Sequence, residues 1–292
     1  MLTSAEILKK VRELEIKSKR LTRHIFTGEY HSAFKGRGMS FREVREYAPG
    51  DDVRFIDWNV SARFNHPFSK LFEEERELTV LLLVDISASS LFGTVHASKQ
   101  ELITEVCAVL AFSAINNNDK VGAILFSDRV ERYIPPKKGR QHALYIVREL
   151  LTSKAKRKGT RLGESLRFFN NSIRQKSICF ILSDFLDEKY EEALKVASKK
   201  HDITGIKVYD KMDMQLPSAG LLEVEDAETG EIQWVDSGDF LVQKNYQQRF
   251  FEATEKSKTI FLKAGADLLH IRTDEDYVKV LKKFFIGRNR PA

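Results

Sequence analysis

Residues 79–89 read Thr-Val-Leu-Leu-Leu-Val-Asp-Ile-Ser-Ala-Ser, an apolar run that ends abruptly in three oxygen-bearing side chains at alternate positions. A strand covered on both faces of a parallel sheet has this continuous character, whereas a strand with one wet face alternates. The run therefore predicts a central strand over 78–85. Open α/β sheets bind ligands in the crevice beyond the carboxyl ends of such strands. Asp85, Ser87 and Ser89 are thus expected to stand at a site.

One carboxylate and two hydroxyls are hard donors that suit Mg²⁺ or Mn²⁺ and poorly suit Zn²⁺, which prefers nitrogen and sulfur. They are too few for a cage, and two later segments offer more. Lys158-Gly159-Thr160-Arg161-Leu162 puts a hydroxyl in a Gly-containing loop. Ile178-Cys179-Phe180-Ile181-Leu182-Ser183-Asp184 repeats the pattern of an apolar strand ending in Asp. Two strand ends and one loop converging on one ion give the set Asp85, Ser87, Ser89, Thr160 and Asp184. Asp-x-Ser-x-Ser also suits a helix N-cap, because Ser and Asp accept hydrogen bonds from the free amides of a helix start. The joint presence of Thr160 and Asp184 in the right chain order favours the metal.

This set resembles the metal-ion-dependent adhesion site of von Willebrand factor A domains, in which Asp-x-Ser-x-Ser, a Thr and an Asp lie on three successive loops. Further pieces are similar to the N-terminal signature of the bacterial proteins called domain of unknown function 58. They are Gly28-Glu29-Tyr30-His31-Ser32, Gly36-Arg37-Gly38-Met39-Ser40-Phe41, Arg45-Glu46-Tyr47-Ala48-Pro49-Gly50-Asp51-Asp52-Val53-Arg54 and Ile56-Asp57-Trp58-Asn59-Val60-Ser61-Ala62-Arg63. Those proteins carry a von Willebrand A-like domain directly after the signature. Ser90 departs from the pattern, since many relatives have Met there. The resemblance implies a Rossmann-type fold, a Mg²⁺ or Mn²⁺ cofactor and a Glu or Asp of a partner as the outer ligand. It also implies association with a MoxR-type AAA+ ATPase, hence an adaptor or co-chaperone and not an enzyme.

Composition sets the outer bounds. A chain of 292 residues with 42% apolar and 31% charged content suits a compact, soluble protein of one large or two small domains. No segment approaches the roughly 20 apolar residues that span a bilayer. Met1-Leu2-Thr3-Ser4-Ala5-Glu6 lacks the basic-then-apolar order of a signal peptide, so a cytoplasmic location is expected. Cys107 and Cys179 fall in apolar patterns and read as buried small hydrophobes.

The excess of 48 Lys and Arg over 42 Asp and Glu is too small and too dispersed to imply nucleic acid. One cluster stands out: Lys154, Lys156, Arg157, Lys158 and Arg161 flank Thr160. It reads either as a solvated loop or as a positive rim that steers an acidic partner towards the ion.

Two other function classes compete. A strand ending in Asp also suits Mg²⁺-dependent phosphatases of the haloacid dehalogenase type, in which the first Asp attacks phosphorus. That chemistry needs a second Asp two residues on as proton donor, and Ser87 occupies the place. Nucleic-acid binding through the basic loops lacks the aromatic residues that would be interleaved with the cations. No Walker A loop, Gly-x-Ser-x-Gly elbow or Cys–His nucleophile pair is present.

Along the chain, residues 1–75 read as an N-terminal helix (4–24) followed by a Gly-, Arg- and aromatic-rich extension with short strands, expected to pack on the domain that follows. Trp58 is its expected anchor, and Asp51, Asp52 and Asp57 are expected to pair with Arg45, Arg54 and Arg63. Residues 76–292 predict one doubly wound, mostly parallel α/β sheet. Its strands fall at 78–85, 120–126, 177–183, 202–208 and 266–272. Its helices fall at 96–117, 140–152, 163–174, 188–200, 240–264 and 275–285, with a β-hairpin near 220–236.

Overall fold

A computed structural model describes residues 4–25, 40–73, 77–91, 98–153, 155, 159–187, 189–225 and 231–288. Signature residues 28–39 and the basic residues Lys154, Lys156, Arg157 and Lys158 lie outside them. Two compact units make up the chain: Phe34–Leu78, and Met1–Ala33 together with Thr79–Ala292.

Helix α1 (Ser4–Ile25) therefore groups with the larger unit. Its inward face is partly polar, with Glu15 and Ser18 buried as well as Val11.

In the smaller unit, β1 (Ser40–Glu46) pairs antiparallel with β2 (Phe68–Glu73), and α2 (Trp58–Phe64) lies between them in sequence. Asp57 caps α2 by accepting from the amides of Asn59 and Val60, at 3.0 and 3.2 Å. Asp51 pairs with Arg45 at 2.7 Å and Asp52 with Arg54 at 2.6 Å. Asp57 meets Lys70 at 3.4 Å, where Arg63 was expected. Trp58 is 72% exposed.

The larger unit holds a six-stranded sheet. Its elements in chain order are β3 (Thr79–Asp85), α3 (Lys99–Asn116), β4 (Lys120–Phe126), β5 (Val130–Lys137), α4 (Arg140–Thr152), α5 (Leu162–Ser172), β6 (Ile178–Ser183), α6 (Glu191–Ser198) and β7 (Asp202–Tyr209). After a single turn at Lys211–Met214 come the hairpin β8 (Leu221–Glu225) and β9 (Ile232–Asp236), then α7 (Phe240–Ala264), β10 (Asp267–Arg272) and α8 (Tyr277–Arg288). The order across the sheet is β10-β7-β6-β3-β4-β5, and only β5 runs antiparallel. This is the doubly wound, mostly parallel arrangement that the sequence predicts.

The chain leaves β3 towards β4 and β5, then returns to β6 on the other side and continues outward. The order thus reverses between β3 and β6, the switch point at which such sheets open a crevice. Strand β5 was not expected, because Pro135 and Pro136 interrupt it. An edge strand tolerates residues that cannot donate to the ladder.

Burial explains the continuous apolar runs. Residues Val80–Leu83 of β3 and Cys179–Leu182 of β6 are fully covered, as expected for strands packed on both faces. Helix α3 touches β3, β4 and β7, and also α1 and α4. A helix enclosed in this way is apolar all round, as the stretch from Val106 to Phe112 is. Ion pairs hold α1 over it, Lys10 to Glu101 at 3.1 Å and Lys17 to Glu105 at 2.5 Å. Among the described residues no helix is long and apolar enough to cross a membrane.

Candidate metal site

The parallel register of β3 and β6, Val80 on Ile178 through Val84 on Leu182, carries Asp85 level with Ser183 at the end of both strands. The Ser183 hydroxyl donates to Asp85 Oδ2 at 2.7 Å. The Ser87 amide donates to Asp85 Oδ1 at 2.9 Å, a side-chain turn that bends the chain off the sheet. The Ser87 and Ser89 hydroxyls lie 3.1 Å apart. Asp85, Ser87 and Asp184 are buried and Ser89 is half-buried. Capping of α3 falls to Ser98, which forms a capping box with Glu101. The Asp-x-Ser-x-Ser segment is therefore not the cap of that helix.

After β6 the backbone turns through Phe185, a bulky residue with φ of 52°. Such a left-handed conformation costs energy for any residue but glycine and persists only where its surroundings enforce it. Here the Phe185 amide donates to Ser183 Oγ at 3.1 Å, and the buried ring stands edge-on to Phe261 at 5.1 Å. The strained turn thus fixes the direction in which Asp184 leaves the strand.

A cavity of about 10 Å³ lies at this switch point, lined by Asp85, Ser89, Lys99, Ile103, Ser183, Asp184 and Val208. Thr160 is not among its walls, although its loop belongs to the same edge of the sheet. The Arg161 amide donates to the Ser127 carbonyl after β4, and the Leu162 amide to Asp187 after β6, both at 2.8 Å. Two buried oxygens, Asp184 Oδ2 and Thr160 Oγ1, have no hydrogen-bond partner among the described residues. Of the expected cationic rim only Arg161 is described. It is exposed, and it lines a separate cavity of about 360 Å³ with Arg167, Lys189, Glu164 and Asp187.

Burial pushes the Asp85 carboxyl up to about 7, and the nearby Asp184 charge adds to the shift. Burial likewise pulls the Lys207 ammonium down to about 8, opposed by Asp184. Lys207 donates to the Asp184 main-chain carbonyl. Lys99, also buried, pairs with Asp213 at 3.1 Å. Ser183, Lys99 and Lys207 are the participants that sequence reasoning missed. Lys207 alone had a local signal, a charge between Ile206 and Val208 in an otherwise apolar strand.

Among the described residues no group of three or more His, Cys, Asp or Glu has the arrangement of a metal site. A site here would have to combine two carboxylates with hydroxyls, an all-oxygen set of the kind hard cations take. The unpartnered Asp184 oxygen and the small cavity beside Asp85 and Ser89 fit such an ion.

Comparison with known proteins adds the lineage. The chain is 29% identical over 289 residues to the uncharacterized protein Rv1480 of Mycobacterium tuberculosis, covering 97% of this chain and 90% of that one. It is 34% identical over 108 residues to the uncharacterized protein YeaD of Bacillus subtilis, covering 37% and 25%. Among solved structures it is similar to the conserved hypothetical protein BatB from Bacteroides thetaiotaomicron, at 17% identity and a TM-score of 0.49, covering 73% of this chain and 98% of the other. The SpRpn10 VWA domain matches at 13% identity and a TM-score of 0.39, covering 74% and 100%. The family model described as a protein of unknown function, DUF58, matches residues 43–256 of the 292, and the chain belongs to that family.

Proposed function

We propose that this chain is a divalent-metal-dependent protein–protein interaction module, an adaptor or co-chaperone that works with a MoxR-type AAA+ ATPase and takes an acidic side chain of its partner through the ion. One observation carries the reading. Asp184 Oδ2 is buried without a hydrogen-bond partner among the described residues, and Asp184 lines a cavity of about 10 Å³ with Asp85 and Ser89. A buried carboxylate oxygen left in that state is costly unless a cation meets it.

Asp85, Ser87, Ser89, Thr160 and Asp184 are the residues that would hold Mg²⁺ or Mn²⁺. When bound, the ion supplies a positive centre with an outer position open to a partner's carboxylate. The protein's part is to aim the donors. Ser183 and the Ser87 amide fix Asp85, and the Phe185 turn fixes Asp184. The hydroxyls of Ser87, Ser89 and Thr160 add donors without adding charge, which leaves the centre able to attract a further anion. Lys154, Lys156, Arg157, Lys158 and Arg161 flank Thr160 in sequence and supply a positive field that speeds the encounter with an acidic surface.

Two measurements test this. Calorimetric titration with Mn²⁺ should give one site in the native chain and none in Asp85→Ala, and equal binding by the variant overturns the site. Binding to a co-purified MoxR-type ATPase should be strong in Mg²⁺ and weak in EDTA. Equal affinity in both conditions overturns the metal-mediated contact.

A further inference from the structure

We infer that Lys99 is the built-in counter-cation of this site, so that a divalent ion binds in competition with its ammonium and at reduced affinity. The inference rests on the metal-binding reading above and adds the control of that site.

Lys99 is the first residue of α3, directly after the Ser98 cap, and it is 3% exposed. A cation at a helix N-terminus opposes the helix dipole, and a buried ammonium is costly without anions around it. Its position therefore needs carboxylates: Asp213 pairs with it, and Asp85 and Asp184 share a cavity wall with it. Its side chain lines the small cavity with Asp85 and Asp184. Its Nζ donates to both oxygens of Asp213, at 3.1 and 3.3 Å. Asp213 is itself held by the Asp210 amide at 2.7 Å. Lys99 thus stands at the cavity of the candidate metal ligands while a fixed outer acid holds its ammonium. In the absence of an ion it offsets the charge of Asp85 and Asp184. When a cation enters the cavity, the like charges repel at short range, and Asp213 holds the ammonium back.

This arrangement makes opposite demands on two substitutions. Lys99→Met removes the competing charge and should tighten Mn²⁺ binding by at least about tenfold, the scale of like-charge repulsion in a partly shielded site. Asp213→Asn loosens the outer hold on the ammonium and should weaken Mn²⁺ binding. A purely structural ion pair would give the same sign in both variants, because either change breaks the same contact.

The experiment is calorimetric titration of the full chain and both variants with Mn²⁺, with thermal unfolding in EDTA to establish that each is folded. Tighter binding by Lys99→Met together with weaker binding by Asp213→Asn supports the inference. Native-like or weaker binding by Lys99→Met overturns it while leaving the metal reading intact, provided the native chain binds. Binding by Lys99→Met where the native chain shows none supports the counter-cation and overturns the metal reading for the native protein. Absence of binding in both overturns both. If Lys99→Met does not fold, Asp213→Asn decides alone, and affinity equal to or tighter than native overturns the inference.

Discussion

The Ser183 hydroxyl bonds to Oδ2 of Asp85 at 2.7 Å across the two strands between which the sheet order reverses. Main-chain pairing between β3 and β6 ends one residue earlier, at Val84 and Leu182, so this side-chain bond closes the seam. It also divides the work between the two acids. Both Asp85 oxygens already accept from donors, whereas Asp184 Oδ2 has none among the described residues. Asp85 is the anchored carboxylate and Asp184 the open one.

Ser183→Ala should therefore cost about 1–3 kcal/mol, the range for leaving a buried polar group without its partner. Urea unfolding in EDTA would read the loss as a lower midpoint with an unchanged slope. A variant as stable as the native chain would mean that the bond contributes nothing in solution.

The sequence revealed most where burial is continuous. Strands β3, β4, β6 and β7 lie within a residue or two of their expected positions, because strands covered on both faces are largely apolar; the edge strand β10, only partly covered, falls as close. Strand β5 escaped notice because its exposed edge tolerates Arg132, Pro135 and Pro136. Ser183 and Asp85 are 98 positions apart, and the contact of Lys99 with Asp213 spans 114. Pairings at that distance leave no local pattern. They follow from strand order, and strand order was legible only as a class of fold.

Helix α1 offers a test of pH dependence. Glu15 is buried, and hydrogen bonding from Arg140 holds its carboxyl down at about 2, with Lys19 assisting. A carboxyl depressed on folding contributes stability above its unfolded value, near 4.3, and loses it as pH falls through the folded value. Glu15→Gln should thus destabilise the protein by about 1–2 kcal/mol at neutral pH, a figure that allows for solvent around the exposed Arg140. The gap between the two denaturation curves should close between about pH 4.5 and 2. A gap that stays constant over that window would assign the effect to packing alone.

Close approach at Gly205 ties the core to the site. A Cβ on this β7 residue would come within 2.5 Å of the Phe261 ring and 2.8 Å of Leu268. The Phe261 ring is buried and stands against Phe185, the left-handed residue that follows Asp184. Gly205→Ala should cost about 1–3 kcal/mol by overpacking. It should also weaken Mn²⁺ binding, because displacement of Phe261 disturbs the turn that aims Asp184. Stability loss with unaltered Mn²⁺ affinity would separate the core from the site.

A phosphatase reading makes the opposite demand on the same strand end. An attacking Asp85 would have to turn an oxygen to phosphorus, whereas hydrogen bonds from Ser183 and the Ser87 amide hold the carboxylate in place. It would also need an acid two residues on to protonate the leaving oxygen. Ser87 stands there, and its hydroxyl faces that of Ser89 at 3.1 Å. A hydroxyl near its ordinary pKa is a poor proton donor. The cavity beside Asp85, at about 10 Å³, is the size of a single water or ion and too small for a phosphoryl group. Generic phosphomonoesters with Mg²⁺ should accordingly show no turnover. Hydrolysis that disappears in Asp85→Asn would place the chemistry on this carboxylate, and the interaction-module reading would give way to a hydrolase.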